Sequence, residues 1–333
     1  MKRLIQELCN LYGPSGQEEA VRDYIAEQIR PHVDEMRVDP LGNLVARRAP
    51  TRPQGQGRRL LLAAHMDEIG VMVTHVDEKG FLRFTGVGFP LRTTLLGSRV
   101  VFSNGVHGTF GLEGKPLPTE SPVPLEKLFL DVGATSREDV PVEVGDVAVF
   151  RSPVVEQGRR ILGPSFDDRL GCAVLIQVLQ RLQETPHELY VAFTVQEELG
   201  LRGATTAAYS VAPEVALAVD ITLTGDYPEA EPMAVGLGKG PAIKVKDRRM
   251  VAHPQVRRWL VRSAEAASIP YQMEVLDYGS TDAAAMQIGR EGALAGALSI
   301  PCRYAHAPTQ MADLEDLEHG VALLLAGLQA EIA

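Results

Sequence analysis

Cysteine is scarce in this chain. Its 333 residues include three, Cys9, Cys172 and Cys302, odd in number, far apart and without CxxC spacing. Neither a disulfide framework nor a thiolate metal site is expected from that pattern. Long apolar runs are missing too, since none reaches the roughly 18 residues that a membrane span needs. The first 21 residues carry charges and lack the apolar stretch of a signal peptide, so a reducing cytoplasm is the expected location. Basic charge is in short supply: Lys and Arg number 33 against 43 Asp and Glu, a formal net charge of -10. Nucleic acid and anionic membranes attract basic patches, so neither is an expected partner. There is no internal repeat and no low-complexity tract.

What is present reads as a globular enzyme. Hydrophobic residues make up 45% and charged residues 23%, enough to bury a core without staples. Residues 4–30 suggest two helices around the turn Gly13-Pro14-Ser15-Gly16, with Ser15 as N-cap and Glu18 completing a capping box. Residues 60–64 form a short apolar run of strand type ending at His65. From about 72 to 156 short β-like runs are broken by glycine and proline, which suggests a compact β-rich insert, a small barrel or sandwich. After 160, strands alternate with helices. The expected fold class is therefore α/β, a mixed, largely parallel sheet sandwiched by helices. The expected division is a discontinuous catalytic domain (1–70 and 160–333) with an insert at 71–159.

Polar residues sit where the apolar strands end. Residues 60–64 lead into His65, 190–196 into Glu197 and Glu198, 215–219 into Asp220, and 298–301, a few residues later, to His306. In α/β sheets, ligand sites lie at the carboxyl ends of the strands, and four metal-competent endings on one rim are hard to obtain by chance. Adjacent carboxylates at the end of a buried strand repel each other and are costly to desolvate. On an extended chain Glu197 and Glu198 face opposite ways, so one can bind a cation while the other faces substrate as a general base. Asp167 and Asp168 precede a helix. Asp168 alone suffices as its cap, which leaves Asp167 for another task. Asp67, two residues from His65, suits an acceptor that fixes the imidazole tautomer. His75, His107, His187, His253 and His319 lack such company and read as surface or structural residues.

The blocks GPSG (13–16), AAHMDEIG (63–70), SFDDRLG (165–171), VQEELGLRGA (195–204), AVD (218–220), STDA (280–283) and RYAHAP (303–308) resemble those of the M42 family of metallo-aminopeptidases, in the family's order and across almost the whole chain. That resemblance implies two divalent cations, zinc or cobalt with manganese as an alternative. Asp167 would bridge them, His65 and His306 would be the histidine ligands, and Glu198 and Asp220 the terminal carboxylates. Glu197 would be the general base and Asp67 the supporting aspartate. It also implies a cis peptide after Asp167, an insert that dimerises, and a homododecamer built from dimers. Two loops depart from the family's pattern: residues 278–282 replace a GGTD-type block, and residues 88–94 lack a WDP pattern.

The implied reaction removes N-terminal residues from peptides with a free N-terminus. Metal coordination can bring the pKa of water from 15.7 to roughly 7. Glu197 would take the proton of a water shared by the two ions, and the hydroxide would attack the scissile carbonyl. Pocket walls are expected from residues 221–240 and 276–310, among them Tyr227, Met233 and Tyr278. The rival readings are a related two-metal amidohydrolase or deacetylase, a glucanase working through two carboxylates without metal, and a metal-free assembly module.

Overall fold

The computed structural model describes residues 1–52, 57–114 and 123–332. The polar loop expected at 50–58 falls partly outside these, as do Pro116, Pro118 and Pro122 of the insert. Among the described residues, eleven strands form one sheet and six close a barrel.

The centre of the sheet is four strands in the order Glu188–Thr194, Arg59–His65, Val215–Thr222 and Leu294–Arg303, each parallel to its neighbour. Leu44–Arg48 extends it antiparallel beside Glu188–Thr194. The sheet is thus mixed and largely parallel, with helices on both faces, as strands buried on both sides require. Side chains alternate along a strand. Leu60, Leu62 and Ala64 therefore enter a large core shared with the helices Phe166–Arg181 and Leu314–Gln329, while Leu61 and Ala63 enter a second core against the alanine-rich helices Arg202–Val211 and Asp282–Gln287.

The same period of two carries His65 onto the second face after Leu61 and Ala63, and Asp220 after Ala216 and Ala218. Ala63 pairs with Ala218, so two residues further on His65 and Asp220 are level. Thr194 pairs directly with His65. Strand register alone brings these chemical groups to one rim.

Six strands, Gly70–Val76, Leu82–Val87, Leu128–Asp131, His107–Leu112, Arg99–Phe102 and Val147–Phe150, close the barrel. Val71, Val73, Phe84, Phe102, Phe110 and Leu130 fill it, and closure removes the exposed strand edges that an open sheet would present. The chain rejoins the large sheet at Val155–Gln157, paired with Arg160–Gly163. That return comes before residue 159, the boundary read from the sequence.

At the N-terminus the helices are Lys2–Asn10 and Glu19–Ile29, and no side chain caps the second. The expected capping box is absent. Ser15 Oγ instead donates to Asp67 Oδ2 at 2.6 Å, and Glu18 Oε1 accepts from the Gly16 and Gln196 amides at 2.7 and 3.1 Å. The buried Asp67 carboxylate forms a charge-assisted bond with the hydroxyl, and such bonds are stronger than the neutral one a cap offers.

Candidate metal centre

Asp67 organises one side of the site. Its carboxylate accepts from Ser15 Oγ, from the Glu197 amide at 2.9 Å and from the Glu198 amide at 3.2 Å. His65 Nδ1 lies 3.1 Å from the Asp67 carbonyl oxygen and 3.4 Å from its Oδ1. An Nδ1–H donated there leaves the Nε2 lone pair facing the site. Glu68 holds the other flank: it accepts from the Gly13 amide at 3.1 Å, from Arg169 at 3.2 Å and from Ser165 Oγ. Arg169 is fully buried and donates to the carbonyls of Met66 and Leu8 at 2.8 and 2.6 Å, which ties the Gly13–Gly16 turn to the strand end.

The two imidazoles meet across Asp167. His65 Nε2 is 3.0 Å from Asp167 Oδ1, and His306 Nε2 is 3.3 Å from Asp167 Oδ2. His65 Nε2 is also 4.0 Å from both Asp220 Oδ1 and Glu197 Oε2, and His306 Nε2 is 3.5 Å from Glu198 Oε1. All five residues read as ligands, with Glu197, therefore lie around one point. The Asp167–Asp168 peptide is cis. Asp168 has its own partners, accepting from the Gly171 amide at 2.9 Å as a helix cap does and from the His65 amide at 3.3 Å.

The cluster is electrostatically crowded. Burial raises Asp220 to about 8, against the His65 charge and with the help of Asp167. Burial also raises Glu198 to about 7 and Glu197 well above the carboxylate range. Burial opposes ionisation of Asp167 as well, but hydrogen bonds with His306 and His65 hold it low. Burial would lower His306, yet the Glu198 charge and Asp167 lift it to about 10. His65 is raised in the same way, against burial, by Asp167 and Asp67. Glu198 Oε1 is buried without a hydrogen-bond partner. Like charges packed at one dry point, with an orphaned carboxylate oxygen among them, ask for cations. The side chains offered, imidazole nitrogen and carboxylate oxygen, suit divalent ions of the zinc, cobalt and manganese type. Ligand atoms of His65, Asp167 and Glu198 lie within 4.8 Å of one another, as do those of His65, Asp168 and Asp220.

These groups line a cavity of about 400 Å³ whose walls include Ile221, Leu223, Leu276 and Tyr278. Tyr278 was expected there; Tyr227 and Met233 are not among its lining residues. Phe89 and Leu91 of the barrel segment, Lys244 and Arg249 line it unforeseen. Glu68 was also missed, although it forms with Asp67 an acidic pair after a buried strand, the signal that flagged Glu197 and Glu198. The Phe89 carbonyl, 3.0 Å from His306 Nδ1, carries no side-chain signal that a sequence could reveal.

The profile of the M42 glutamyl aminopeptidases matches residues 42–323. A protein of Acetivibrio thermocellus is 46% identical, covering 98% of this chain and 97% of its own. An aminopeptidase of the archaeon Desulfurococcus kamchatkensis is 41% identical with a TM-score of 0.93, over 98% of this chain and 94% of that one. The Pyrococcus horikoshii TET1 peptidase, which can assemble into a tetrahedron or a large octahedral shell, is 31% identical with a TM-score of 0.83, over 98% and 99%. This chain belongs to the M42 family of aminopeptidases and is a peptide hydrolase.

Proposed function

We propose that the protein is a dinuclear-metal aminopeptidase that releases N-terminal residues from peptides. The observation that carries this reading is Asp167, whose two carboxylate oxygens each face a different imidazole. On this reading Asp167 would be shared by two divalent cations, zinc or cobalt, with His65 and Asp220 as the residues that would hold one and Glu198 and His306 the other. Asp168, although close enough to ligate, has both oxygens engaged by backbone amides, which supports a structural role.

Cations bound there would acidify water and polarise the scissile carbonyl. Glu197 lines the cavity beside them, takes a proton at its carboxylate and returns it to the departing amine. Asp67 keeps His65 in the tautomer that presents Nε2. A substrate's free, neutral α-amine would also be held at one of the cations, which would direct cleavage to chain ends. The apolar cavity wall receives the side chain of the first residue.

The barrel pairs two subunits, and dimers on the six edges of a tetrahedron make a homododecamer. The tetrahedral assembly of the horikoshii relative supports this. Among the described residues no helix is long and apolar enough to cross a membrane. The three cysteines are buried and free, which supports work in a reducing cytoplasm.

Aminoacyl-p-nitroanilides, with and without chelator, test the activity. Hydrolysis should vanish on chelation and return with zinc, cobalt or manganese. N-acetylated substrates should resist. Equal rates on free and acetylated substrates would point to an amidohydrolase instead.

A further inference from the structure

A second cavity, of about 450 Å³, abuts the first. The two share Gly200, Leu201 and Arg249 in their walls. It runs over the helix Arg202–Val211 and ends near Tyr209, Ile288 and Arg290. The metal centre lies in the first cavity and, on the aminopeptidase reading, would hold a substrate's free amine. Three cations line the combined space, Lys244, Arg249 and Arg290, and they are not equivalent. Lys244 is paired with Glu274 at 2.9 Å, both buried. Arg290 stacks on Tyr209, 4.4 Å from the ring centroid, and donates to the Tyr209 carbonyl at 2.5 Å. Among the described residues the Arg249 guanidinium has no hydrogen-bonded or ion-paired partner, although it stands in the wall common to both cavities. A guanidinium presents a planar fork of donors that matches a carboxylate.

We infer that Arg249 receives the C-terminal carboxylate of a short peptide whose amino end lies at the metal centre. The favoured substrates are then oligopeptides of a few residues, with the departing part lying over Gly200 and Leu201 where the two cavities meet. The position of Arg249 supports this occupant: a peptide whose amine is held at the metal centre would bring its carboxylate to the unpaired cation in the wall that the two cavities share. A side-chain carboxylate beside Lys244 would meet a cation already neutralised by Glu274. The inference rests on the aminopeptidase reading of the same site.

The test compares tripeptides X-Gly-Gly with their C-terminal amides, X spanning apolar, acidic and basic residues, by kcat/KM in the metal-loaded wild-type enzyme and in Arg249→Gln and Arg249→Lys. The wild type should favour the free acid by about fivefold, the scale of a partly exposed ion pair. In Arg249→Gln the ratio should fall to about one through loss on the acid alone, and Arg249→Lys should keep part of it. Equal rates on acid and amide in the wild type, or an equal loss on both in Arg249→Gln, would overturn the inference while leaving the aminopeptidase reading intact. Cleavage of no tripeptide would overturn both.

Discussion

His306 Nδ1 lies 3.0 Å from the carbonyl oxygen of Phe89, so a residue leading out of the barrel orients a ligand candidate of the large sheet. The Leu91 amide returns the contact, donating to the His306 carbonyl at 3.2 Å. The barrel is thereby part of the site's construction as well as a separate core.

Gly88, next in chain, gives this contact its most direct test. Its φ is +71°, and an added Cβ would lie 2.7 Å from Ile69 Cγ2 and 3.1 Å from Glu198 Oε2. Gly88→Ala should push Glu198 away and weaken one of the two cation sites by about tenfold, given a local cost of ~1–2 kcal/mol. Metal titration of the metal-free protein reads this. Two sites of unchanged affinity would refute it.

Glu197→Gln removes the proton acceptor while keeping the shape of the side chain. Turnover should fall by about 10²–10⁴, with bound metal unchanged by elemental analysis. Wild-type kcat would eliminate Glu197 as the base.

Asp167→Ala should cost metal and activity together, because both imidazoles lose the carboxylate they share. Elemental analysis that still found two ions per subunit would contradict the bridging role.

Metal uptake should depend on pH. Without metal, His306 titrates at about 10 and His65 is raised, in each case against burial and through neighbouring carboxylates. Ligation requires neutral imidazole, so loading expels protons, and affinity should weaken as pH falls from about 9 toward 6. Calorimetry in buffers of different ionisation enthalpy would measure the release. Uptake without proton release would contradict it.

Arg169→Met leaves Glu68 buried beside an apolar side chain. Breaking such a pair costs about 3–5 kcal/mol, which urea denaturation should register. Adding Glu68→Gln to Arg169→Met should recover part of the loss, and additive losses would argue against the pairing.

Much of the site could be read from residue order. Apolar runs ending in His65, Asp220 and the Glu197–Glu198 pair announce strands with polar tips, because burial of a strand and solvation of its end leave opposite marks on composition. The insert showed itself through its glycines and prolines, and its closure into a barrel needed coordinates. Ser15 shows the limit of local reading: a serine three residues before a glutamate signals a cap, yet the Asp67 carboxylate, far away in sequence, claims its hydroxyl. Arg249 gave no sign at all, since arginines are ordinary on surfaces.

The amino-acid order by itself determined which residues could meet a cation, because metal-competent side chains follow directly on the apolar runs that a buried strand requires. Tertiary structure decided which of those groups meet, that Asp167 stands between the imidazoles while Asp168 caps its helix, and that a barrel carbonyl steadies His306. Those outcomes depend on strand register and on contacts between residues more than a hundred positions apart, which no local pattern encodes.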